Sequence, residues 1–184
     1  MELMLRKNRG RLTGWIGYAL GWAYRHTAQI NDGKPYPAKQ DRRHDLSIVA
    51  NYRINRRWDC SAVFVYATGN ALTMPESMYL VGENAVCEYG PHNGGRMPAY
   101  HRLDLSANYW ISKKKNTEQV INISLYNAYN RNNPAYLAVD IIQDKDKNGK
   151  KDQLIIRKRG KSIYGIIPSI SCLLYTSDAA DDLI

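Results

Sequence analysis

Phenylalanine is almost missing from this chain, with one residue against fourteen tyrosines. Long apolar runs are missing altogether. No stretch of eighteen apolar residues occurs, so no transmembrane helix is encoded. That absence does not weigh against a membrane β-barrel, whose spans are short and half polar. Cysteine is scarce, at three residues, and none sits in a Cys-x-x-Cys metal pairing. Glycine-rich phosphate loop, nucleophile elbow and His-Glu-x-x-His helix are all absent. The serines lie on alternating strand faces with no evident base partner, so neither an enzyme nor a cofactor is expected. A charged stretch leading into an apolar one is also lacking at the start, so no signal peptide is read.

Acidic residues are outnumbered, 17 against 26 basic ones, for a formal charge of +9. The bases concentrate in turns and ends: residues 6–11, 53–57, 113–115, 145–151 and 157–161. Scattered clusters of this kind are poor evidence for a nucleic-acid stripe, and no nucleic-acid partner is expected. They read as solvated turns, with contact to lipid or lipopolysaccharide phosphates as the alternative.

What is present is alternation. In Met97-Pro-Ala-Tyr-His-Arg-Leu-Asp-Leu-Ser-Ala-Asn-Tyr-Trp110 the residues His101, Leu103, Leu105, Ala107 and Tyr109 point one way. Arg102, Asp104, Ser106, Asn108 and Trp110 point the other, because neighbours on a strand face opposite sides. The pattern recurs at residues 14–24, 45–54, 58–66 and 120–129. Strands of about ten residues, joined alternately by short turns and long loops, are the pattern of a transmembrane β-barrel. The expected fold is all-β: an antiparallel meander of about seven strands forming an open segment of a large barrel.

The same strands carry a family resemblance. Asp41-Arg-Arg-His-Asp-Leu-Ser47 and Met97-Pro-Ala-Tyr-His-Arg-Leu-Asp-Leu-Ser106 look like paired strand-start motifs of TonB-dependent outer-membrane receptors of the Bacteroidetes type. Asn122-Ile-Ser-Leu-Tyr-Asn-Ala-Tyr-Asn-Arg-Asn-Asn-Pro134 and Ile166-Ile-Pro-Ser-Ile-Ser171 resemble that group's penultimate and final strands. The likeness covers residues 1–171 and implies the C-terminal portion of such a barrel. It further implies an outer-membrane location and energy-coupled uptake of a scarce, bulky ligand: siderophore, cofactor, glycan or peptide. The partners it implies are the outer-membrane lipid, a plug domain and the TonB complex of the full-length protein. A passive porin or adhesin-type barrel and a soluble β-sheet binding module are the alternatives. Residues 172–184, Cys-Leu-Leu-Tyr-Thr-Ser-Asp-Ala-Ala-Asp-Asp-Leu-Ile, resemble a translated sequencing adapter and are expected to be a non-native tail. Met1 is expected to be an internal methionine.

Strands are expected at residues 1–7, 11–25, 45–54, 58–68, 100–112, 120–143 and 154–171. Short turns then fall at 8–10, 55–56 and 113–117, and long loops at 26–43, 69–98 and 144–152. In outer-membrane barrels short turns face the periplasm and long loops face outside. Gly14, Gly17, Ala19, Gly21 and Ala23 keep the second strand slim, as close approach or a bend requires. Tyr18, Trp22, Tyr24, Trp58, Tyr66, Tyr109 and Trp110 suit two interfacial aromatic girdles, or else the core of a soluble sandwich.

The polar set Asp45, Ser47, Asn51, Arg102, Asp104, Ser106 and Asn108, extended by Arg53, Asp59, Ser61, Asn122 and Ser124, is expected to face a lumen. There it would contact a plug or line a ligand path, or simply fill the interior. Arg102 and Asp104 are expected to form pairs across strands. Tyr79, Glu88, Tyr89 and His92 are candidates for ligand contact in an exterior loop, since long loops on a rigid scaffold carry such contacts. No metal site is expected. Asp144, Asp146, Asn148 and Asp152 have oxygen ligands at alternating positions around Gly149, as Ca²⁺ needs. However, Ile155 stands where a bidentate Glu belongs, and Asn148-Gly149 is a strong hairpin turn. His44, His92 and His101 with Cys87 and Glu88 form a second, weaker metal set. Cys60 reads as a small apolar side chain, with a Cys60–Cys87 disulfide as the lesser alternative.

Overall fold

A computed structural model describes residues 1–81, 84–114, 117–145 and 152–176. In chain order its strands are β1 (Glu2–Lys7), β2 (Leu12–Leu20), β3 (Tyr24–Arg25), β4 (Tyr36–Pro37), β5 (His44–Arg53), β6 (Trp58–Ala67) and β7 (Ala71–Leu72). They continue with β8 (Pro75–Val81), β9 (Asn84–Tyr89), β10 (Gly95–Arg96), β11 (Tyr100–Lys114) and β12 (Thr117–Tyr126). The last three are β13 (Pro134–Lys145), β14 (Asp152–Ser162) and β15 (Ile167–Thr176). The described residues contain no α-helix, only a single 3-10 turn at Asn31–Gly33.

The fold is all-β. Seven strands form one antiparallel sheet in the order β1-β2-β5-β6-β11-β12-β15, a meander from which the β13-β14 hairpin projects before β15 returns beside β12. Four small two-stranded pieces, β3-β4, β7-β10, β8-β9 and β13-β14, make up the remainder. The sheet is open: β1 and β15 form its two edges and do not pair with each other. Among the described residues no second sheet packs on either face. The buried apolar residues are Tyr36, Ala38, Ala67, Ala71 and Val120, several of them beneath the loops rather than in a sheet-on-sheet core.

Register follows from the period of two. Asp104 lies opposite Val63, Ser106 opposite Ser61 and Asn108 opposite Asp59. Ser124 and Asn122 of β12 continue the same rows, as do Ser169 and Ser171 of β15. A one-residue slip of β11 would carry Arg102, Asp104, Ser106 and Asn108 to the face that holds Phe64, Ala62 and Cys60. At Gly14 the β2 backbone turns toward β5: a Cβ there would overlap the Val49 carbonyl, and its φ of +152° disfavours other residues.

Several elements differ from the sequence-based expectation. The second strand ends at Leu20, so Trp22 and Tyr24 lie beyond it. The expected strand over 120–143 is two strands. The chain leaves the sheet at Asn127, which is 1% exposed and takes a left-handed conformation, as does Asn130. The Asn127 side chain accepts from the Arg131 N–H (3.0 Å) and donates to the Arg131 carbonyl (3.0 Å), closing a turn that short polar residues tolerate. The expected strand over 154–171 breaks in the same way: β14 pairs with β13, whereas β15 returns to β12. β15 also runs past Ser171 to Thr176 without a register shift. Backbone pairing ignores the loss of side-chain alternation, and Thr117–Ile121 present an otherwise open edge. The expected loop over 69–98 contains a hairpin, β8-β9, missed because its Gly, Pro and Asn flanks dominate the composition.

Candidate functional site

Antiparallel connectivity places the ends of the sheet. Residues 8–11 and 54–57 turn at one end. The segments 21–43, 68–99, 127–133 and 163–166 gather at the other. Among these, residues 21–43 and 68–99 are tied together. Asp41, its side chain fully buried, accepts from the Ala23 N–H (2.6 Å) and from the Arg96 guanidinium in an ion pair. Arg96 also donates to the Asp41 (2.7 Å) and Gly69 (3.2 Å) carbonyls. Asn93 donates to the Pro37 carbonyl (2.9 Å), and Asn31 exchanges two hydrogen bonds with the His92 backbone. Burial pushes the Asp41 carboxyl up, but the hydrogen bonds from Arg96 and Ala23 and the charges of Arg96 and Arg43 hold it below the ordinary value.

All seven members of the expected polar set share one face of the sheet by register. Two groups are brought together. Near the loop end, Arg102 bonds Asp104 along its own strand, two residues away, rather than across strands as expected (Nη2 to Oδ2, 2.9 Å). The reason is geometric: β6 places Val65 and Val63 beside them, so no carboxylate is available across the ladder. Arg102 also donates to the hydroxyls of Tyr100 (2.9 Å) and Tyr126 (2.7 Å), and lies 4.1 Å from the Tyr126 ring centroid. Asp104 accepts the Asn127 N–H (2.9 Å), anchoring the exit turn of β12.

Nearer the short turns, Asp59 accepts from Asn108 Nδ2 (2.8 Å) and from the Trp110 indole (2.6 Å). Asn122 donates to Asn108 Oδ1 (2.6 Å), and Ser61 to Asn51 Oδ1 (2.7 Å). Trp110 therefore belongs to the polar face and not to an aromatic girdle. Asp45, Ser47 and Ser106 make no side-chain hydrogen bond among the described residues.

The opposite face is aliphatic in the middle and aromatic at both rims. Its centre includes Ile16, Ile48, Ala62, Leu105, Ile123 and Ile170. Ile123 and Ile170 are 51% and 73% exposed. At the turn end Trp58 packs on Tyr109, with ring centroids 4.8 Å apart. At the loop end Tyr18 bonds His44 (2.7 Å) and Tyr129 bonds His101 (2.7 Å), and Tyr66 stacks on His101.

On the polar side two cavities open. One, of about 650 Å³, lies beneath the loops; its lining includes Tyr100, Arg102, Tyr126, Tyr136, Lys39 and Arg42. The other, of about 860 Å³, lies at the turn end. The four exterior-loop candidates do not form one site. Tyr79, Glu88 and Tyr89 are exposed on the β8-β9 hairpin, with Glu88 bonded to Ser77 (2.7 Å). His92 instead packs edge-on against Tyr36. Among the described residues no three His, Cys, Asp or Glu side chains converge on a metal site. Asp144 and Asp152 lie at facing strand ends, whereas Asp146 and Asn148 lie outside the described residues. Cys60, Cys87 and Cys172 are free thiols.

Sequence reasoning missed Asp41, Arg96 and Asn93, which join distant loops. It also missed Lys39 and Arg42, which reach the loop-end cavity. Only the Asp41-Arg-Arg-His-Asp motif hinted at the first of these. No family model, curated protein or solved structure matches the chain.

Proposed function

We propose that this chain is a segment of the outer-membrane barrel of a TonB-dependent receptor, serving energy-coupled uptake of a bulky ligand. One observation carries the membrane reading: a single-layer sheet has an uncovered aliphatic face bounded at both rims by Tyr, Trp and His, backed by a hydrogen-bonded polar face. A water-soluble domain buries such a face against another layer. A contiguous exposed apolar surface of this extent marks an interaction or membrane surface. In lipid every backbone group must be paired, so edges β1 and β15 require further strands to close the wall. The short-turn and long-loop ends match the periplasmic and exterior ends of such barrels.

Receptor function rests on the resemblance of the strand-start motifs, with the Arg102–Asp104–Tyr126 cluster and the cavity beneath the loops as the ligand-path surface. Lipid and lipopolysaccharide contact the aliphatic face, and a plug contacts the polar one. Topology supplies the test. In the full receptor on intact cells, cysteine at exposed Lys34 reacts with an impermeant thiol reagent, and cysteine at Arg56 reacts only after the outer membrane is permeabilised. The reverse labelling pattern would invert the orientation, and labelling at both sites would remove the chain from the membrane.

A further inference from the structure

The turn-end cavity has a chemistry of its own. Arg11, Arg53, Arg56 and Arg57 all line it, against one carboxylate, that of Asp59. Both oxygens of Asp59 are already taken by Asn108 and Trp110. Among the described residues, none of the four guanidinium groups makes an ion pair or a side-chain hydrogen bond. The salt bridges among the described residues, Arg96–Asp41 and Arg102–Asp104, lie at the opposite end. The cavity is therefore a concave surface with surplus positive charge and unused planar donors, the donor geometry that suits carboxylates.

Its shape narrows the partner. The lining crosses four neighbouring strands, from Thr13 on β2 to Asn108 on β11. Three inter-strand spacings make a floor roughly 14 Å wide, matching about four residues of extended chain. Arg11 follows the first turn, Arg56 and Arg57 lie in the second, and Arg53 ends β5, so their charges are distributed along the groove. On the floor Ser61 donates to Asn51 Oδ1, which leaves the Asn51 Nδ2 donors and the Ser61 oxygen to pair with a peptide backbone. A single small anion would leave most of this surface unused.

We infer that the turn end of the polar face is a binding groove for an acidic polypeptide segment. Under the barrel reading that segment enters from the short-turn side. The groove itself does not depend on the membrane, and binding is read in whichever medium keeps the chain folded. Failure of one inference is thus distinct from failure of the other.

The test is fluorescence anisotropy of labelled hexaglutamate titrated with the folded full chain. We expect saturable binding that the R53E/R56E double variant weakens about tenfold or more, through loss of charge-assisted contacts. Charge reversal at the loop end, R25E/K34E, should change it less than about twofold, because charges more than a Debye length away are screened at physiological salt. R53K/R56K retains the charge but not the fork, and should bind at an intermediate level. Equal weakening by both reversed pairs, or undiminished binding to the urea-unfolded chain, would reduce the effect to net charge and overturn the inference. Full competition by inorganic pyrophosphate at equal charge concentration would overturn it in favour of a small-anion site.

Discussion

The two faces of the main sheet are built by the same strands and differ in what they ask of their surroundings. On one face the centre is Ile, Leu, Ala and Phe64, and among the described residues no side-chain polar contact occurs until the His–Tyr pairs at the rim. On the other, Asp59, Asn108, Trp110 and Asn122 form a hydrogen-bonded chain across β6, β11 and β12. A strand carries both sets at no extra cost in backbone geometry, because successive side chains diverge. The contrast shows that the ladder alone does not explain this protein. Each face calls for a different environment, and only one of them has its polar needs met internally.

The most forceful way to break the comparison is to charge the aliphatic face. If the chain is the proposed barrel wall, Ile123→Arg in the full-length protein should cost about 2–4 kcal/mol of folding stability in lipid vesicles, the penalty for a base near the bilayer midplane. Ser106→Arg, on the polar face, should cost well under half of that. Equal costs, read from denaturant unfolding, would show that lipid does not meet the aliphatic face.

A smaller effect sharpens the view of the polar face. Asp59→Ala leaves Asn108 and the Trp110 indole without their acceptor and should cost about 1–3 kcal/mol. Asp45→Ala, on the same face but without a side-chain partner, should stay within about 0.5 kcal/mol. If both substitutions cost the same, the network contributes nothing beyond ordinary surface polarity.

The smallest effect concerns the loop end. The Asp41 carboxyl titrates below its unfolded value, so its contribution is complete above about pH 4 and is lost as pH falls through the lower folded value. Hydrogen-exchange protection at residues 69–81 and 84–97, taken relative to the intrinsic rate at each pH, should fall below that pH in the native chain. Asp41→Asn should show the lowered protection at every pH. Protection that persists through acid would mean the Arg96 contact does not hold the loops together.

Much of the polar face was legible beforehand. Asp45, Ser47, Asn51, Arg102, Asp104, Ser106 and Asn108 fall on one side because alternation is a local rule that any strand obeys. Trp110 obeys the same rule; only its size suggested a girdle, and register with Asp59 decided otherwise. The breaks at Asn127 and Ile163–Ile166 were not legible, since the chain stays strand-like in composition on both sides. What interrupts it is a buried asparagine turn that depends on Arg131 and Asp104. Arg102 and Asp104 were recognisable as a pair, but the absence of a cross-strand acid was visible only once Val63 and Val65 lay beside them.

By itself, then, the sequence determined β1, β2, β5, β6 and β11, their two-faced character and the division into short turns and long segments. These are properties of residues within a few positions of one another, set by side-chain direction and turn chemistry. Tertiary structure alone decided that Asp41 meets Arg96, that β15 rather than β14 completes the sheet beside β12, and that four arginines from two turns and the end of β5 line one cavity. Such contacts join residues tens of positions apart. Their partners are chosen by how the loops close and how the strands register, which no local pattern encodes.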